Sequence, residues 1–195
     1  IVVFEMEDTG KRNLQGLDKP ILDSLGIDKN KPEKQQRNQT GCPILEEGDI
    51  LLNTTLAETN DWQQVDLPVV RTLRHFCIET LSSYTEDNQA CISEVDLLDD
   101  KGQPIDKTKW EVVYISSEQA DKNLGVAENL FDGDISSFWH TDPATEPGQP
   151  HRIIVDIKEI YKISALRFKV RKGAFLSGKV KEINVYGRPQ FFLFH

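Results

Sequence analysis

An all-β fold, an antiparallel two-layer β-sandwich, is predicted by three features of the chain. From Ile44 onward, nine short apolar or alternating runs follow one another, at residues 50–55, 62–67, 73–81, 92–98, 110–115, 151–157, 163–170, 180–186 and 191–194. Turn-forming clusters part them, most plainly Asp99-Asp100-Lys101-Gly102 and Pro147-Gly148-Gln149-Pro150. Helical periodicity is almost absent over the same stretch, and short strands with regular polar breaks are the pattern of a sandwich.

The first 43 residues read differently, as an N-terminal extension to a domain spanning 44–195. Residues 1–7 suit a strand, with Val3 and Phe4 beside Glu5, Met6 and Glu7. Residues 17–27 suit one short helix, because Pro20 fits a first turn and Ile21, Leu22 and Leu25 share a face. Residues 28–41 hold no aliphatic or aromatic side chain, so they cannot repay their ordering entropy and are expected to form a flexible polar loop.

Composition narrows the partners. With 195 residues, 38% hydrophobic and 28% charged, the chain is long enough to bury a core without covalent staples. Its net charge of −9 repels phosphate backbones and anionic membranes, which argues against nucleic acid. No run approaches the eighteen or so apolar residues of a membrane span, and no basic-then-apolar leader opens the chain. Any export signal is therefore expected to have been removed or never present. Of the three cysteines, Cys77 and Cys91 sit in strand-like runs and read as buried free thiols, against the alternative of a disulfide or a reactive nucleophile. No Cys-x-x-Cys or His-x-x-x-His spacing supports zinc.

One stretch carries chemistry. Residues 129–141 place Asp132, Gly133, Asp134, Ser136 and Ser137 within six positions, followed by Phe138 and Trp139. Calcium takes six to eight oxygens from carboxylates, carbonyls and hydroxyls, and a glycine lets the chain turn sharply enough to aim several at one point. The aromatic pair is expected to fix the turn to the core. The alternative is an ordinary Asp-Gly turn with surface serines.

From Trp110 to about Arg188 the chain resembles the discoidin family, also called coagulation factor V/VIII type C domains, a galactose-binding-domain-like jelly-roll whose bacterial members are carbohydrate-binding modules. The resemblance rests on Ser116-Ser117-Glu118, Ala127, Asn129, Asp132-Gly133-Asp134, Ser137, Phe138-Trp139-His140-Thr141, Pro150-His151 and Ile153 to Ile157. It continues through 163–170, Arg171, and Gly178-Lys179-Val180-Lys181-Glu182. The family's closing strands look present upstream, in 48–52, Trp62 to Leu67, Arg71 to Arg74 and Ser93 to Leu97. Only one Asp-Gly-Asp turn exists, which points to a permuted order in which residues 44–98 supply closing strands to the sandwich begun at Trp110. The alternative, the end of one module joined to the start of another, would leave two open sheet edges.

The resemblance implies a structural calcium ion held by Asp132, Asp134, Ser137, the Asn129 carbonyl and a glutamate on a distant strand. Glu94 is the preferred glutamate, and Glu182 competes for the role. It also implies a sugar site in which His140 and Arg171 donate to ring hydroxyls and Asn123 takes the acidic position. The aromatic that stacks on the sugar in the family is absent after His140, where Asp142 and Pro143 stand, and Phe175 is a candidate replacement. His140 alternatively steadies the metal turn, and Arg171 alternatively ends a solvated strand. The expected function is a non-catalytic carbohydrate-binding module that recognises a terminal glycan, galactose-type or other. It would serve a secreted, periplasmic or cell-surface bacterial glycan-processing protein. A protein-interaction or spacer domain lacking sugar binding is the second reading. Catalysis is the third, since Asp132 and Asp134 beside a glycine serve a cation better than acid–base chemistry.

Overall fold

The computed structural model describes residues 41–195, apart from 86, 145–147 and 172–176. The expected strand at 1–7, the helix at 17–27 and all but the last residue of the polar loop at 28–41 lie outside the described residues.

The strands are β1 (Pro43–Ile44), β2 (Ile50–Thr55), β3 (Trp62–Ser83), β4 (Cys91–Ile92), β5 (Glu94–Asp99), β6 (Glu111–Ile115), β7 (Trp139–His140), β8 (His151–Lys169), β9 (Val180–Arg188) and β10 (Leu193–Phe194). All their pairings are antiparallel. Two long strands run through both layers. The second half of β3 and the first half of β8 pair with each other and extend to β9 and β2 on one side and β6 on the other, giving the order β2-β9-β3-β8-β6. The first half of β3 and the last part of β8 pair again, at Trp62–Asp66 against Ala165–Lys169, and β5 completes this smaller layer. Strands from 50–99 thus pair with strands from 111–188 throughout both layers, and only β6 and β8 pair within the later stretch.

Side-chain alternation builds the core from these strands. Phe76, Ile78, Ile153, Val155, Ile183 and Val185 of the larger layer meet Val95, Leu97, Leu166 and Phe168 of the smaller one, all fully buried. Trp110 closes the gap between them and packs edge-on against Phe76 at 5.5 Å. The intervening residues Cys77, Ile154 and Tyr186 point outward into a second, smaller cluster with Tyr114 and Phe192. Beside it Pro43–Ile44 pairs with Leu193–Phe194.

Two expected breaks are absent, and one appears that was not expected. The runs 62–67 and 73–81 are a single strand, because Pro68, which has no N–H to give a ladder, sits where the register against β8 slips between Asp66 and Arg71. The runs 151–157 and 163–170 are likewise one strand, with Lys158 at φ 71° inside it. Conversely 92–98 divides at Ser93, because Cys91–Ile92 pairs with the short β7 and Glu94–Asp99 with β8. That division puts Glu94 at the start of a new strand, facing the acidic turn.

Candidate cation and ligand site

The acidic turn follows a single buried 3-10 turn, Ala127–Phe131, whose Leu130 and Phe131 enter the core. Asn129 is buried there, and its side-chain amide donates to the Phe138 carbonyl at 3.0 Å, holding the two ends of the turn together. Gly133 has φ +82°, the left-handed conformation that a glycine adopts without strain. Beyond it Trp139 is fully buried, and its indole N–H donates to the Ser117 carbonyl at 3.1 Å. Of the two aromatics expected to anchor the turn, Trp139 does so. Phe138 stays only half-buried.

Within the turn, oxygens outnumber protons. The Ser137 hydroxyl lies 2.8 and 3.0 Å from the two Asp132 carboxylate oxygens, 2.9 Å from the Asp134 carbonyl and 3.4 Å from the Asn129 carbonyl. It has one proton to give to four acceptors. The Asp134 side chain turns away, accepting from the backbone N–H and hydroxyl of Ser136. Asp134 therefore presents its carbonyl to the ring of oxygens rather than its carboxylate. A carboxylate, two carbonyls and a hydroxyl form an all-oxygen donor set, which fits a hard cation such as calcium and not zinc. Among the described residues, no three His, Cys, Asp or Glu side chains converge as a thiolate or imidazole site would require.

Glu94 reaches this turn from β5 and accepts the Gly133 N–H at 2.6 Å. Its second oxygen takes the Lys107 ammonium. The carboxyl is almost wholly shielded from water, and burial pushes it up to about 7 against the opposing pull of Lys107 and the Gly133 N–H. Glu182, the competing glutamate, lies exposed on β9 and accepts from the Ser82 hydroxyl at 2.6 Å. Only Glu94 is brought to the turn.

Two of the three expected sugar contacts, His140 and Arg171, meet at Phe138. Arg171 lays its guanidinium over the Phe138 ring at 3.7 Å, and Phe138 meets the His140 ring edge-on at 6.4 Å. Both side chains of this cation–π pair are partly exposed. His140 itself is buried on β7. Its Nδ1 is 2.5 Å from the Thr141 carbonyl, which can only accept, so the proton sits on Nδ1 and a neutral ring offers an acceptor at Nε2. His140 also donates its backbone N–H to the Gly125 carbonyl and accepts from Gln119 N–H, fixing the loop that carries Asn123. Asn123 ends a 3-10 turn, Asp121–Asn123, at φ 55°, so its link to His140 runs through the loop backbone. The expected stacking residue Phe175 lies outside the described residues.

Two residues of this region were not singled out from the sequence as site residues in these roles. Phe138 looks like a core residue because it adjoins Trp139, and only the short β7 turns it outward. Lys107 stands in a polar run, and nothing local indicates that residues 103–107 fold back along β5. Asp87 and the Thr85 hydroxyl accept the Gly178 N–H, which sets the loop after β3 beside the start of β9.

The family model of the F5/8 type C domain matches residues 113–190. A sialidase from Micromonospora viridifaciens is 32% identical over 84 residues, which is 42% of this chain and 13% of that protein. The similarity thus spans a small part of the relative. The family match, 113–190, includes none of β1 to β5. Residues 113–190 are similar to the F5/8 type C domain over the length of that match, and the strands that precede them pair directly with the strands it contains.

Proposed function

We propose that the chain is a non-catalytic carbohydrate-binding module with a structural calcium site, accessory to a secreted or periplasmic bacterial glycan-processing protein. The match of residues 113–190 to the F5/8 type C family model and the similarity to part of a sialidase favour a glycan as the partner. The observation that carries the reading is the Arg171 guanidinium stacked on the half-exposed Phe138 ring at 3.7 Å, directly after the acidic turn. An aromatic ring edge and a planar fork of N–H donors suit the apolar and hydroxyl-bearing faces of a pyranose.

Asp132, Ser137 and the carbonyls of Asn129 and Asp134 would hold the ion, with Glu94 tying the turn to β5. The ion supplies positive charge to an oxygen-rich turn and so crosslinks it. It takes no part in chemistry. The residues on the chain's own account position the loop: Trp139 anchors one end and Asn129 joins the two.

Affinity electrophoresis and glycan arrays test this reading. Retention by galactosides or uronic polymers, lost in Arg171→Ala and Phe138→Ala, is the expected result. The second reading, a protein-interaction or spacer domain, is favoured by the burial of His140 and the engagement of its Nδ1. No retention on any glycan, with a calcium-dependent rise in melting temperature intact, would decide for it. Turnover of a glycoside by the chain alone would overturn both.

A further inference from the structure

We infer that Lys107 sets how tightly the acidic turn holds a divalent cation, by competing with that ion for the Glu94 carboxylate. The inference rests on the calcium reading above and adds the residue that tunes it.

Lys107 is not a loose surface lysine. The chain turns at Asp99–Gly102 and runs back along β5, where Ile105 N–H donates to the Leu97 carbonyl at 3.0 Å and Leu98 bridges to Pro104. Trp110 N–H then donates to the Lys107 carbonyl at 3.1 Å, and the Trp110 ring is locked into the core. From this fixed backbone the ammonium reaches Glu94 and, at 2.7 Å, Asp96, and it is only 18% exposed. Arg167 pairs with the other oxygen of Asp96 at 2.5 Å. Two carboxylates therefore face two cations. Lys169, opposite Glu94 in the ladder, sends its ammonium instead to the Asn60 carbonyl.

The consequence is a charge count. One Glu94 oxygen is taken by Gly133 N–H and the other by Lys107, so of the Asp132 and Glu94 carboxylates Glu94 already holds a cation when an ion enters the turn. Calcium affinity follows the number of charged ligands and the rigidity of their cage. An ion that draws on Glu94 must share it with an ammonium held at contact distance. With Lys107 neutralised, Glu94 adds its charge to the site, while Asp96 keeps Arg167.

Calorimetric calcium titration and calcium-dependent melting of the whole chain, wild type beside Lys107→Met and Lys107→Arg, test the inference. Half-saturation of Lys107→Met at about tenfold lower calcium, with Lys107→Arg near wild type, is expected from removal of one adjacent positive charge. Unchanged or weaker binding by a folded Lys107→Met, in a protein whose wild type does bind, overturns the role of Lys107 and leaves the ion site standing. No calcium response in wild type or either variant overturns the ion site itself, and the role of Lys107 with it. Near-ultraviolet circular dichroism reports folding. If Lys107→Met fails to fold, Lys107→Gln is read against the same outcomes.

Discussion

Glu94 accepts the Gly133 N–H at 2.6 Å across 39 residues of chain, and this bond ties the acidic turn to the smaller sheet. Glu94→Ala removes the acceptor of the Gly133 N–H and halves the pairing of the largely buried Lys107 ammonium. The expected cost is about 2 kcal/mol in urea unfolding with chelator present, because a lost partner in a buried network costs more than the bond itself contributes. Glu94→Gln keeps an acceptor for Gly133 and should lose less. In wild-type protein, calcium that binds only the folded form must raise the thermal midpoint, and chelator must lower it again. A midpoint indifferent to both would remove calcium from the account.

The three cysteines should divide sharply by reactivity. Cys42 is exposed, whereas Cys77 and Cys91 have no accessible surface. Burial pushes the Cys91 thiol up to about 12 despite the nearby Arg171, and burial pushes Cys77 further in the same direction. A thiolate is the reactive species, so the two buried groups are inert in the native state. A disulfide-exchange reagent should titrate one thiol in native protein and three in denaturant. Two or more fast thiols without denaturant would mean that β3 or β4 opens readily.

Much of this architecture is legible in the residues, and the exceptions have physical causes. The run 50–55 is found with the bounds it was given, because Leu51 and Leu52 are buried and turn residues flank it. The upstream position of the strands completing the sandwich is also legible, since Glu94 stands in a Glu-hydrophobic-x-hydrophobic pattern and proves to face the turn. Pro68 and the positive φ of Lys158 mislead in opposite ways. A proline suggests a strand end but here coincides with a register slip, and a lysine gives no hint of left-handed backbone. The burial of His140 is invisible because its neighbours Thr141, Asp142 and Pro143 read as a surface loop. What removes it from water is pairing with Cys91, a contact across 49 positions that no local pattern encodes.

Glycine to alanine changes at two loop crossings should be disproportionately costly. At Gly125 an added Cβ would lie 2.9 Å from the His140 Cβ and 3.1 Å from its carbonyl oxygen. At Gly178 it would meet Ala90 backbone atoms at 2.9 and 3.0 Å, with φ at +74° adding strain of its own. Neither neighbour is a flexible side-chain end, so the backbone must shift, at about 1–3 kcal/mol each. Gly148→Ala is the control, since nothing stands within 4 Å of its Cβ position. Equal denaturation midpoints for all three variants would show that these loops yield without cost.

Stability should fall on the acid side in two stages. His75 and His151 are buried, and burial lowers both below the ordinary histidine value, against the raising effect of Asp156 on His75 and of the Asn88 carbonyl on His151. A depressed folded value means that the unfolded chain takes up the proton first. Their contribution is therefore complete above about pH 6.5 and is lost as pH falls below it toward the folded values. Asp156 acts lower down. Burial alone would raise its carboxyl, but hydrogen bonds from the Arg74 guanidinium and the Lys158 N–H and ammonium hold it well below the usual carboxylate range. Its contribution is present above about pH 4 and is lost as pH falls further. Urea midpoints measured from pH 8 to pH 3, about 0.5 unit apart, should show the upper limb flattened in His75→Gln/His151→Gln and the lower limb flattened in Asp156→Asn. An upper limb unchanged in the double histidine variant would mean that other groups carry the acid sensitivity.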